Sequence, residues 1–234
     1  MEKIIIVYKE PAAGAAKASV DYASLDYESL ARRVDPLCHA FNMHVRGKPL
    51  ASAVLSPEMY DDSLSCICSV WLNGADQLTG LLPELAFLGA PRGIYLVTEA
   101  AARDYEKVSW KIASESPGVT LFAMMRRKPE HTMDDFAERW LVHSRISLRL
   151  HPIVRYQRNL ALRRLAGDER WDAFTEERVW SDEDMRPENF CADPKDFEMS
   201  YEDMKGFLNM PQDIKCVFLR ERILKLPSWL KSSN

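Results

Sequence analysis

The chain has 234 residues, 47% hydrophobic and 28% charged, with 31 Lys and Arg against 35 Asp and Glu and a net charge of −4. That balance fits one large domain or two of about 115 residues and excludes wholesale disorder. The mild acidity argues against a nucleic-acid partner, and nine glycines without a GxGxxG or GxxxxGKS/T run argue against a phosphate loop.

In chain order, Lys3 to Lys9 reads as a strand, and Tyr27 to Phe41 as a helix interrupted at Pro36. Residues near 43–55 and Leu64 to Leu72 are strand-like. Cys66 and Cys68 lie two apart, so a strand turns both the same way, as small core thiols. Gly74 to Leu88 is helical with Asn73 as a cap, and Gly93 to Val97 begins a fourth strand. Tyr105 to Gly118 then serves as a linker. Val119 to Arg126 is an apolar run of strand length. Thr132 caps the next helix, with Asp135 completing a capping box, and Met133, Phe136, Ala137, Trp140 and Leu148 recur at helical spacing up to about Leu150. Pro152 stops that helix, and His151 before it reads as a residue of the helix end. Ile153 to Leu162 and Phe174 to Trp180 are strands, Ser181 caps a short helix start, Tyr201 to Leu208 is helical, and Ile214 to Leu224 is the last strand.

The second half thus runs β-α-β-β-α-β, the ferredoxin-like order, and the first half repeats it at roughly 115-residue spacing. The fold class expected is α+β. Two ferredoxin-like modules, residues 1–115 and 116–234, bury the open faces of their antiparallel sheets against each other as a pseudo-dimer. The five cysteines form no CxxC pair, no apolar run reaches membrane-spanning length, and the N-terminal apolar run is too short for a signal core. A cytoplasmic location with no membrane contact is the expectation. Charge is uneven: residues 126–170 carry 11 basic and 6 acidic side chains, and residues 171–213 carry 4 and 13. Opposed fields of this kind suit self-complementary packing or steering of a polar ligand, or are simply solvated faces.

One set of residues carries a family resemblance. Arg126-Arg127-Lys128-Pro129 ends a strand. Met133, Phe136, Trp140 and His143 follow on a helix, and Arg155-Tyr156-x-x-Asn159 lies on the next strand. Residues 118–224 resemble the EthD-like branch of the dimeric α+β barrel superfamily, although Ser144-Arg145 stands where the family has Ala-Pro. The first half looks like a diverged copy without the histidine motif. The resemblance implies a pocket between sheet and helices, and small proteins that mostly work without a cofactor on ethers, aromatics and polyketides.

His143 lies about 60° around the helix from Trp140, at the border between core and pocket. A histidine there can exchange a proton near neutral pH, which dehydration or isomerisation requires. On the family match His143 is a candidate general acid/base, and Tyr156 a candidate acid or oxyanion donor. Trp140, Arg126 and Asn159 are candidate substrate-binding residues. Each has a plainer reading: Trp140 as core, Arg126 as the partner of the acidic 182–184 run, and Tyr156 and Asn159 as opposite faces of a regular strand unless it is bulged. The function expected is a cofactor-independent lyase or isomerase acting on a small hydrophobic oxygenated molecule, without a metal. Alternatives are a non-catalytic binding or assembly barrel and a haem-binding barrel. A homodimer of the whole chain is a further expectation.

Overall fold

The computed structural model describes residues 1–10, 19–47, 50 and 55–230. Eight strands form: β1 Glu2–Lys9, β2 Ala40–Arg46, β3 Leu64–Leu72, β4 Gly93–Arg103, β5 Val119–Met125, β6 Arg155–Gly167, β7 Ala173–Val179 and β8 Ile214–Lys225. They close into one barrel in the order β1-β3-β2-β8-β5-β7-β6-β4, with β4 returning to β1, and every pairing is antiparallel. The first four strands lie side by side as β4-β1-β3-β2 and the last four as β8-β5-β7-β6, the same positional order. Seams β2–β8 and β4–β6 join the two sets. Gly118, at φ +92°, admits the chain to β5; a Cβ there would stand 2.0 Å from the Val179 carbonyl oxygen.

The helices are α1 Tyr27–Val34, α2 Leu78–Leu81, α3 Met133–Leu150, α4 Pro187–Phe190 and α5 Pro194–Met204. Several sequence expectations need correction. The helix expected over Gly74 to Leu88 with Asn73 as cap is instead 3-10 over Ala75–Gln77 and Leu82–Leu88, around the four residues of α2, with no side-chain cap. The first helix does not reach Phe41. It gives way to a 3-10 turn over Asp35–Leu37, because Pro36 lacks an amide hydrogen, and Ala40 and Phe41 already belong to β2. The helix expected at Tyr201 to Leu208 instead begins at Pro194, where the Asp193 side chain accepts from the Lys195 amide. The strand expected near 43–55 ends at Arg46, and its residues 48, 49 and 51–54 fall outside the described residues. The capping box at Thr132 and Asp135 forms as expected. Among the described residues, no helix is long and apolar enough to cross a membrane.

Closure gives each strand an outward face toward the helices and an inward face toward the lumen. Outside the first four strands, Ile4, Ile6, Phe41, Met43, Cys66 and Cys68 pack with Leu30, Val34 and Leu81 into one apolar layer. Outside the last four, Leu121, Ala123 and Cys216 meet Phe136, Trp140 and Phe207. The lumen is divided. One end is apolar, with Val7, Tyr95, Met124, Phe174 and Val217.

The other end of the lumen is charged. Lys3 Nζ donates to Glu99 Oε1 at 2.7 Å and to Glu176 Oε1 at 3.0 Å. Arg155 Nη1 donates to Glu221 Oε1 at 2.7 Å and its Nε to Asp104 Oδ1 at 3.0 Å. Burial opposes ionisation of Glu176, but Lys3, Arg155 and His44 prevail and hold it at about 2.

Candidate functional site

α3 is long enough to carry chemistry at its centre while its start is fixed by the capping box. It presents Phe136 and Trp140 to the sheet and His143 one turn on. His143 is buried, and its Nδ1 lies 2.9 Å from Asp203 Oδ2 on α5. A carboxylate accepts, so Nδ1 carries the hydrogen and Nε2 is left as the acceptor. Ser147, one turn further along α3, brings its Oγ to 3.3 Å from that Nε2. Burial pushes the imidazole below its usual range more strongly than Asp203 raises it, so His143 is neutral at pH 7 and able to take a proton.

The cavity beside His143 has a volume of about 70 Å³. Its far wall is the outward face of β5, β7 and β8, with Leu121, Ala123, Cys216 and Glu177. Glu177 forms no hydrogen bond or ion pair among the described residues, and burial pushes its carboxyl up to about 8. Near neutral pH it therefore holds a proton. A neutral imidazole and a protonated carboxyl face one apolar cavity, a base and an acid whose ordinary order of proton affinity burial has reversed. His151 also lines the cavity. It is the C-cap residue of α3, but its ring is turned away from the helix carbonyls. Nδ1 lies 2.9 Å from the Phe190 carbonyl oxygen, and the ring stacks on Phe190 at 4.1 Å.

The other sequence candidates are distributed differently. Tyr156 is buried on the outward face of β6, paired across strands with Glu177, and does not line the cavity. Burial pushes its phenol well up, so it stays protonated, with Ser144 and Trp140 beside it. Trp140 belongs to the core, with the Arg158 guanidinium 5.6 Å from its ring. Asn159 does not join His143: β6 pairs with β7 in regular register here, so Asn159 points into the lumen and donates to the Phe174 carbonyl at 3.3 Å. Arg126 also lies away from His143. Its Nε donates to the Arg170 carbonyl, and its guanidinium sits 4.2 Å from the Trp171 ring. The acidic 182–184 run is met instead by Arg220, which grips Asp182 through two 2.6 Å bonds.

Sequence reasoning missed Glu177 and Asp203. Glu177 sits in the alternating run Phe174-Thr175-Glu176-Glu177-Arg178, where the side chains alternate between faces that closure covers. Asp203 would have been found from the Asp193-Pro194 helix start, which fixes the face of α5 that meets α3. Among the described residues no group of three or more His, Cys, Asp or Glu is placed to hold a metal ion.

No family model matches the chain, and no curated protein sequence matches it. Solved structures do match in fold. An anthrone oxidase-like protein superposes with a TM-score of 0.55 at 10% identity, covering 98% of this chain and 96% of that one. A candidate monooxygenase from Fusobacterium nucleatum gives 0.53 at 10% identity, covering 96% and 92%. A chlorite dismutase variant from Candidatus Nitrospira defluvii gives 0.50 at 10%, covering 95% and 92%. The chain has an α+β fold with a closed antiparallel eight-stranded barrel, and these structures share that fold.

Proposed function

We propose that the chain is a cofactor-independent enzyme of the lyase or isomerase kind, acting on a small hydrophobic oxygenated molecule with His143 as general base. We place it with EthD-like barrels, as two ferredoxin-like modules, 1–115 and 116–234, packed as a pseudo-dimer within one chain. The observation that carries the chemical reading is geometric. His143 is fixed through Nδ1 by Asp203, and its ring lines an apolar cavity together with the unpaired carboxyl of Glu177. Nε2 removes a proton next to a carbonyl or hydroxyl, Asp203 steadies the imidazolium that forms, and Glu177 returns a proton to the departing or rearranging oxygen. Tyr156 is the cross-strand neighbour of Glu177 on β6.

The neighbours' names bring a second reading, in which the carbanion left by the same abstraction meets dioxygen; oxygen uptake separates the two. Haem is not assigned to this cavity, because a space of about 70 Å³ does not admit a porphyrin.

Turnover of candidate hydroxy-carbonyl and phenolic compounds by wild type and by His143→Gln tests the reading. The loss expected is about 10²- to 10⁴-fold in kcat with an unchanged melting temperature. Asp203→Asn should lose less, on the order of 10- to 100-fold. Unchanged turnover in a folded His143→Gln protein overturns the assignment.

A further inference from the structure

A second hollow lies directly outside the first. It has a volume of about 550 Å³ and is walled by Pro187, Glu188, Cys191, Ala192, Pro194 and Phe197. Phe197, on α5, is in the wall of both spaces. The inner chamber at about 70 Å³ falls far below the roughly 300–1,000 Å³ of ordinary ligand sites, whereas the outer hollow lies within that range by itself. Among the described residues no Lys or Arg lines either space, and the rim of the outer one carries a carboxylate, Glu188. An anionic ligand would find no counter-charge there and would meet a like charge on entry.

We propose that the outer hollow is a second subsite of the same site, and that the ligand is an elongated, uncharged molecule lying across both. Its oxygenated end enters the inner chamber toward His143 and Glu177, and its apolar body rests in the outer hollow beyond Phe197. This rests on the functional reading above for what happens at the inner end, but the two-part binding is measurable without turnover. Phe197 sets how much of the ligand passes inward, so it is a positioning residue.

Calorimetric titration of the full chain with phenol, 4-phenylphenol and 4-phenylbenzoate at pH 7 tests the inference. The added ring of 4-phenylphenol should bring at least about tenfold tighter binding than phenol, through apolar surface buried in the outer hollow. 4-Phenylbenzoate should bind at least about tenfold more weakly than 4-phenylphenol. Ala192→Trp fills the outer hollow and should abolish the advantage of 4-phenylphenol while leaving phenol affinity unchanged; Ala192→Phe does the same more gently should the larger ring disturb folding. Equal affinity for phenol and 4-phenylphenol, an advantage that survives both Ala192 variants, or tight binding of 4-phenylbenzoate each overturns the proposal. The titrations read binding without turnover, so their outcome is separate from that of the catalytic test.

Discussion

The same barrel carries two unlike helix layers. Over the first four strands, α1 is eight residues long and the outward faces of β1, β2 and β3 are filled with Ile, Phe, Met, Val and Cys. Over the last four, α3 runs for 18 residues, carries His143 and Ser147 beyond its apolar turns, and leaves a hollow above Glu177. The strand order of the two sets is the same, so the difference is one of filling: a layer packed to density has no place for an acid or a base, and a layer with a gap can keep both, the base held by Asp203 and the acid without an ion pair.

Exchanging a feature between the layers should break the comparison most severely. Cys68 faces the filled layer with no exposure, so Cys68→Glu buries a carboxyl where no space or partner exists. A loss of about 4 kcal/mol or more is expected, read by urea denaturation or as loss of soluble protein. Glu177 sharpens the other side. Its carboxyl titrates at about 8 in the folded chain against 4.5 ordinarily, so the folded state keeps a proton that the unfolded chain releases. Stability from this group is complete below the ordinary carboxylate range and falls by about 1.4 kcal/mol per pH unit until pH passes about 8. Glu177→Gln should remove that slope, so urea midpoints of variant and wild type should diverge progressively between pH 5 and 8. A gap that does not widen removes the case for a protonated Glu177. The smallest effect belongs to the support of the hollow layer: Thr132→Ala deletes the capping box at the start of α3 and should cost about 1 kcal/mol in thermal or urea unfolding.

How much of this was legible follows from where the information lies. The capping box, the spacing of Phe136, Trp140 and His143, and the strand runs are local patterns, and they appear nearly where expected. The regular register of residues 155–160 of β6 against β7 also puts Tyr156 and Asn159 on opposite faces, as the sequence alone would have it in the absence of a bulge. The partners of His143 and the acid facing it are products of tertiary placement. Asp203 reaches His143 across α5, and Glu177 reaches the cavity across β7. Lys3, Glu176, Arg178 and Glu221 look like solvated strand residues, because only closure of the sheet buries both faces of a strand. Arg126 illustrates the converse: a charge at a strand end carries no information about which aromatic ring or carbonyl will receive it.

β8 pairs with β2 on one side and β5 on the other, so residues near 41–46 find their partners near 219–225. The barrel is therefore sealed by contacts between the most distant parts of the chain, which makes closure a late and slow step of folding. Until it occurs, β2 and β5 each present an unpaired row of amides and carbonyls, the surface on which chains join into aggregates. Removal of β8 by truncation leaves both rows permanently open. Because every pairing lies within one chain, sealing is unimolecular, and its rate is set by the search of one polypeptide for itself, independent of protein concentration.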